Sequence, residues 1–185
     1  MKKQEIDFVK NPFATWNGDD SISKKLRHRT KVVKNFTEIK GKILDMGFPD
    51  EFGRRLGAQD NTYPTDFADG VKAPDKNYDT ILCFEVLEHQ MNMLSFVRDL
   101  YGLLKKDGKL ILSTPKFVRF GGFYDADRHV GEYKRESLEI LFKYAGFKMV
   151  KYRTFCYWDW DFMFWGIRPL IRVLFHRTQL WELKK

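Results

Sequence analysis

An apolar run, Ile81-Leu82-Cys83-Phe84, ends abruptly in three ionisable side chains: Glu85, Glu88 and His89. Spaced i, i+3 and i+4, they cluster if the chain passes straight into a helical turn. Two carboxylates and an imidazole so arranged suit proton transfer at a hydroxyl acceptor, because neutral imidazole works as a base near pH 7. With His129 as a fourth member, the same groups are also a ligand set for a divalent metal. We assign His89, His129 and Glu88 to acid–base chemistry and expect no metal. The plain alternative is a cluster that only shapes the mouth of a site.

The elements that position these groups form a strand–helix–strand unit. Tyr78 to Phe84 is the first strand. Leu94, Val97, Leu100 or Tyr101, and Leu104 then recur at helical steps, and Lys105-Lys106-Asp107-Gly108 is expected to stop that helix, with cations in the last turn and a glycine beyond. Lys109 to Ser113 is a second buried strand, closed by Thr114-Pro115. Such a unit is right-handed, and ligands of open α/β sheets lie beyond the carboxyl ends of the strands. Glu85, Glu88, His89 and residues 113–116 should therefore share one rim.

At 185 residues, with 43% hydrophobic and 31% charged side chains, the chain suits one domain with a substantial core. Cys83 and Cys156 read as reduced cysteines of a cytoplasmic protein. Met1-Lys2-Lys3-Gln4-Glu5 lacks a signal-peptide run, and no stretch offers the roughly 18 apolar residues of a membrane span. Residues 1–40 are expected to be an arm and a helix from Asp20-Ser21 to about Ile39. Its inward face would carry Ile22, Leu26, Val32 or Val33, and Phe36. Lys24, Lys25, Arg27, Arg29, Lys31 and Lys34 would lie on the solvated face. Residues 41–155 form the core, 156–178 an aromatic-rich insertion or lid, and 179–185 a last strand. Within the core, Lys42 to Asp45 is a short strand and Phe52 to Leu56 a brief helix. The span from Asp45 to Tyr78 holds one strand or two short ones, because a full strand–crossover–strand unit needs roughly 30 residues. Residues 116–133 read as a long loop over the rim, Glu136 to Tyr144 as a helix ended by Gly146, and Phe147 to Phe155 as a strand.

Ile43-Leu44-Asp45-Met46-Gly47, Tyr78 to His89, Leu103 to Gly108, and Leu112-Ser113-Thr114-Pro115 together resemble the class I S-adenosylmethionine-dependent methyltransferases, most nearly the small-molecule type of quinone and bacterial surface-sugar pathways. His129-Val130-Gly131-Glu132-Tyr133 and Ala145-Gly146-Phe147 match that family's later segment, so the resemblance covers about residues 41–155. It implies a three-layer αβα sandwich with a Rossmann-like, mostly parallel sheet and an antiparallel last strand, shortened here between the first strand and residue 78. It also implies S-adenosylmethionine over Asp45, Gly47 and Phe48, with Phe84 and Glu85 on the rim. By the same resemblance, Asp60 would serve the ribose and Asp66-Phe67 the adenine; turn-forming aspartates are the plain alternative. One departure stands out. The family's glycine-rich turn is here Asp45-Met46-Gly47-Phe48-Pro49-Asp50-Glu51, with a single glycine and a proline that lacks an amide donor.

The implied activity is methyl transfer to an oxygen or nitrogen of a small or lipid-linked acceptor, such as a sugar or quinone precursor. The rival is a binding or scaffold protein on the same fold. No G-x-G-x-x-G follows the first strand, which argues against a dinucleotide oxidoreductase. Residues 157–175, dense in Trp, Phe, Leu and Ile, read as core and lid, as an amphipathic segment on a membrane, or as a homodimer interface. The net charge of +8 favours an acidic partner, whether nucleic acid, an anionic inner-membrane face or a phosphorylated substrate; a solvated lysine-rich surface is the plain alternative. Polybasic surfaces gain about 1 kcal/mol per residue near anionic lipid. The chain should therefore co-float with anionic liposomes at low salt and leave them at high salt. No co-flotation at low salt removes the membrane expectation.

Overall fold

The computed structural model describes residues 20–47, 51–62, 71, 73–117, 131, 133–156 and 177–185, with helix side chains from residue 24 onward. The expectations for Phe48, Pro49, Asp50, Asp66, Phe67 and His129, and for the aromatic segment 157–175, fall outside the described residues, as does the side chain of Ile22.

Six strands form one sheet: β1 (Ile43–Met46), β2 (Asp60–Thr62), β3 (Tyr78–Phe84), β4 (Leu104–Pro115), β5 (Lys148–Phe155) and β6 (Thr178–Lys184). Their spatial order is β2-β1-β3-β4-β6-β5. β1 is parallel to β2 and β3, and β3 to β4, while β6 runs antiparallel to both β4 and β5. The mostly parallel sheet with an antiparallel last strand is thus the observed one. Among the described residues a single three-residue strand, β2, occupies the short span between Asp45 and Tyr78.

Period-2 alternation sorts the strand side chains to two faces. Ile43, Leu82, Ile111 and Leu180 pack with Val33 and Phe36 of α1 (Asp20–Phe36) and with Phe52 and Leu56, the first of them in α2 (Glu51–Arg55). Leu44, Met46, Ile81, Cys83, Leu110, Leu112, Trp181 and Leu183 point the other way. They meet Phe96, Val97 and Leu100 of α3 (Met93–Leu103) and Leu138 and Phe142 of α4 (Arg135–Tyr144). The result is a three-layer αβα sandwich.

Two boundaries differ from expectation. Lys105 to Gly108 is no helix stop: α3 ends at Leu103, Leu104 is already extended, and β4 begins there. Lys105 reaches Asp79 at 2.8 Å, Lys184 reaches Asp107 at 3.0 Å, and Asp107 takes φ 64°, so the segment bulges between the Tyr78–Leu104 and Thr80–Lys109 pairings. Helix α1 stops at Phe36 rather than Ile39, because tertiary partners take over its end. Lys151 Nζ donates to the Phe36 carbonyl at 3.2 Å, and Lys109 Nζ to Thr37 Oγ1 at 3.1 Å and to the Glu38 carbonyl. Cations at a helix carboxyl end are favourable, and Glu182 sits between these two lysines at 4.0 and 3.7 Å.

Trp181 anchors the far half of the sandwich. Fully buried, it meets Phe142 edge-on at 5.3 Å between ring centroids and Tyr152 at 4.4 Å. Its Nε1 has no hydrogen-bond partner among the described residues, a cost that packing must outweigh. Chemical denaturation should show Trp181→Ala losing about 3–5 kcal/mol. Trp181→Phe should lose much less, since it removes the unpaired N–H together with the volume.

Candidate active site

The chain leaves β1 toward the edge strand β2 and returns on the other side of β1 as β3. This reversal makes the carboxyl end of β1 a topological switch point, the place where open α/β sheets bind their ligands. The turn that leaves it is tightly held. Gly47 N donates to the Thr62 carbonyl at 2.9 Å, and Asn61 Nδ2 donates to the carbonyls of Gly47 at 3.1 Å and Asp45 at 3.2 Å. Asn61 faces these groups because the parallel register sets it opposite Asp45. Gly47 takes φ 154°, and a Cβ there would stand 3.5 Å from Val86, so the turn keeps its backbone open beside the start of the next rim segment. Asp45, only 7% exposed, lays its carboxylate on α2. A Cβ on Gly53 would lie 2.1 Å from Asp45 Oδ2, so glycine alone permits this approach.

On the neighbouring strand, β3 ends in Glu85 at φ 55°, a left-handed conformation that costs a residue other than glycine about 1–3 kcal/mol. Two bonds to β4 hold it there: Glu85 N donates to the Ser113 carbonyl at 3.0 Å, and Ser113 Oγ donates to Glu85 Oε1 at 2.7 Å. A single 3₁₀ turn (Leu87–His89) follows. Thr114 Oγ1 donates to Glu88 Oε2 at 3.0 Å, and Gly131 N to the Glu88 carbonyl at 3.3 Å. Burial pushes the Cys83 thiol well up, and the carboxylates of Glu88, Asp45 and Glu85 add to it, which marks the three acids as neighbours around the end of β3. Tyr133 is likewise raised, by burial first and then by Glu88, so its phenol stays a neutral hydrogen-bonding group.

The structure brings Asp45, Gly47, Phe84, Glu85 and Glu88 to this carboxyl-end rim, and it seats half-buried His89 at the end of the 3₁₀ turn. Glu88 is buried, at 1% exposure, and accepts from Thr114 Oγ1. Asp60 does not join the rim. It opens β2 and accepts from Tyr78 Oη at 2.7 Å with Lys42 at 3.8 Å, at the amino-terminal edge of the sheet. The parallel pairing of β2 with β1 sends it there. Among the described residues no group of three or more His, Cys, Asp or Glu side chains could hold a metal ion.

Helix α1 departs from its expected polarity. Lys24, Arg27, Lys31 and Lys34 are exposed, but Lys25 and Arg29 are half-buried. The Arg29 guanidinium carbon lies 4.3 Å from the Phe52 ring centroid, and Phe52 lies 4.9 Å from Phe84. Burial lowers the proton affinity of Lys25, the like charge of Arg29 lowers it further, and the Glu85 carboxylate opposes both. Sequence periodicity carried no signal for this placement beyond the i, i+4 spacing of the pair. Among the described residues no helix is long and apolar enough to cross a membrane.

The sequence model of a methyltransferase domain family matches residues 22–152, well over half of the chain. A ubiquinone biosynthesis O-methyltransferase of Rickettsia felis is 45% identical over 40 residues, 22% of this chain and 16% of that protein. The chain thus aligns with only a small part of that curated relative's length. Among solved structures, the [4+2]-cyclase SpnF superposes with a TM-score of 0.60 at 13% identity, covering 92% of this chain and 84% of that one. The 1,6-didemethyltoxoflavin-N1-methyltransferase of Burkholderia thailandensis, solved with 1,6-didemethyltoxoflavin and S-adenosylhomocysteine, gives 0.56 at 15% identity, covering 87% and 78%. At such identities these structures share the Rossmann-like fold with this chain, and nothing finer follows from them.

The contact between Asp45 and Gly53 yields a direct test. Gly53→Ala should lose about 1–3 kcal/mol in chemical denaturation by overpacking the carboxylate. Adding Asp45→Ala to the same chain should recover part of that loss, since the two changes share one contact.

Proposed function

The chain belongs to the methyltransferase domain family, and from that premise we propose that it transfers a methyl group from S-adenosylmethionine to an oxygen or nitrogen of a small or lipid-linked acceptor. The observation that carries this reading is the pair of strand ends at the switch point, the open Gly47 backbone after β1 and the strained, doubly bonded Glu85 after β3. The donor set fits the cofactor. Carboxylates of Asp45 and Glu85 suit an ammonium group and a nearby sulfonium, and the glycine backbone suits close approach. When bound, the cofactor supplies an electrophilic methyl group. The chain's own part is alignment, which is the larger share of such catalysis. Glu85 and the Gly47 turn hold one reactant, the Phe52–Phe84 wall excludes water on the α1 side, and His89 stands as the base for a hydroxyl acceptor, with His129 as the second candidate.

The ubiquinone O-methyltransferase likeness favours oxygen as the accepting atom and an aromatic or lipid-linked acceptor. Contact with an anionic membrane surface, or assembly as a homodimer, accords with such an acceptor and with the charge of +8. The competing reading, a binding protein without catalysis, draws on the turn from Asp45 to Glu51 with its single glycine.

Calorimetric titration with S-adenosylhomocysteine separates the two. Binding by the wild type, abolished in Gly47→Val, is expected. A wild type that binds nothing at millimolar ligand hands the case to the binding-protein reading. Catalysis should also persist in EDTA; loss of activity restored by magnesium or manganese would instead make Glu85, Glu88, His89 and His129 metal ligands.

A further inference from the structure

We propose that Lys116, Lys134 and Arg177, together with Phe117, seat the carboxyl-edge rim on an anionic lipid surface. The docking stands on its own observations. Its consequence, that a lipid-linked acceptor reaches the rim directly from that surface, rests on the methyl-transfer reading and deepens it. The sequence offered residues 157–175 and the overall charge for a membrane contact; this surface is assembled by strand pairing instead.

β4 runs outward past the rim. Ser113 serves Glu85, Thr114 serves Glu88, and Lys116 stands two residues further along the strand, a rise of roughly 7 Å. Lys116 N donates to the Arg177 carbonyl at 2.9 Å. That bond continues the β4–β6 register beyond the Pro115–Thr178 pair and sets Lys116 directly opposite Arg177. Lys116 also bridges to Tyr133, Phe117 N donates to the Tyr133 carbonyl at 3.4 Å, and Lys134 Nζ lies 5.7 Å from the Phe117 ring centroid. Fully buried Gln179 fixes the base of this surface, its Nε2 donating to the carbonyls of Tyr133 at 2.8 Å and Pro115 at 3.4 Å.

Like charges directly opposite on neighbouring strands are destabilising. The same two strands carry another such pair at their far end, Lys109 opposite Lys184, and there the fold supplies acids: Asp107 at 3.0 Å from Lys184 and Glu182 at 4.0 Å from Lys109. Lys116, Lys134 and Arg177 are exposed and have no acidic partner among the described residues. Phe117, 39% exposed, stands with them. Cations beside an exposed aromatic ring suit a lipid interface, because the cations meet phosphates while the ring enters the boundary between headgroups and acyl chains. Helix α1 lacks this combination: its exposed cations have no exposed large apolar side chain on the same helix among the described residues. A single-stranded nucleic acid asks for a row of aromatic faces along a groove. Here one exposed ring is described, and Lys134 already lies over it.

Flotation tests the seat, with vesicles of phosphatidylcholine alone and of phosphatidylcholine with phosphatidylglycerol. The proteins are the wild type, a rim triple variant (Lys116→Gln, Lys134→Gln, Arg177→Gln), Phe117→Ser, and an α1 triple variant (Lys24→Gln, Lys31→Gln, Lys34→Gln) that removes the same charge. The wild type should float with the phosphatidylglycerol vesicles at low salt. The rim triple should bind them roughly a hundredfold more weakly and Phe117→Ser about tenfold, while the α1 triple loses only a few-fold. Unchanged melting temperatures establish that the variants fold. A wild type that does not float overturns the seat, as does an α1 triple that loses as much as the rim triple. Either rim variant floating like the wild type overturns it too; if that variant has lost binding of a fluorescent single-stranded oligonucleotide, nucleic acid is the occupant. Titration of the wild type with S-adenosylhomocysteine keeps the two readings apart. Cofactor binding without flotation overturns the seat alone, whereas flotation without cofactor binding overturns methyl transfer and leaves the seat.

Discussion

The parallel hydrogen-bonded register of β1 between β2 and β3 is the constraint on which the rim depends. It sets Asn61 opposite Asp45 and Cys83 opposite Met46, so the ends of all three strands arrive together. Without that register, Asn61 could not bridge the Asp45 and Gly47 carbonyls, and the turn would lose its tie to β2. β4 extends the same logic. Its pairing of Ser113 with Phe84 brings a hydroxyl and a carbonyl to Glu85, which supports a backbone conformation that Glu85 would not adopt alone.

Electrostatics divides the molecule between its two edges. At the amino-terminal edge, the acids are paired: Asp60 with Tyr78 and Lys42, Asp79 with Lys105, Asp75 with Lys42. These partly exposed pairs contribute little stability individually, but they fasten the strand entrances. At the carboxyl edge two of the acids accept from hydroxyl donors, Ser113 on Glu85 and Thr114 on Glu88. A hydroxyl positions a carboxylate without cancelling its charge.

A protein named for ring closure and one named for N-methylation superpose on this chain about equally well. The sandwich alone therefore does not choose a reaction. Family membership narrows the choice, and the particular groups at the switch point carry the argument to methyl transfer: the open Gly47 turn, the fixed Glu85 and the aromatic wall of Phe52 and Phe84.

Much of the fold was legible before any coordinates. Periodicity identified β3, α3, α4, β5 and β6 within a few residues, because each buries one regular face, and the run Ile81–Phe84 followed by Glu85 pointed to the rim. Where a residue's partners come from other elements, the sequence was silent or misleading. Lys105 to Gly108 carried a helix-stop signature that the ion pairs to Asp79 and Lys184 drew into β4. The family resemblance made Asp60 the candidate for a ribose, yet strand pairing placed it at the opposite edge of the sheet from Glu85. Glu88 and His89 share one sequence cluster, but Thr114 buries the first and leaves the second half-open. Lys25 and Arg29 read as solvated charges until α1 met Phe52. Local composition determines which stretches become strands and helices, since burial periodicity is written along the chain. Which charges become a site is a matter of long-range register and of one helix rotating against a sheet, and no local pattern encodes either.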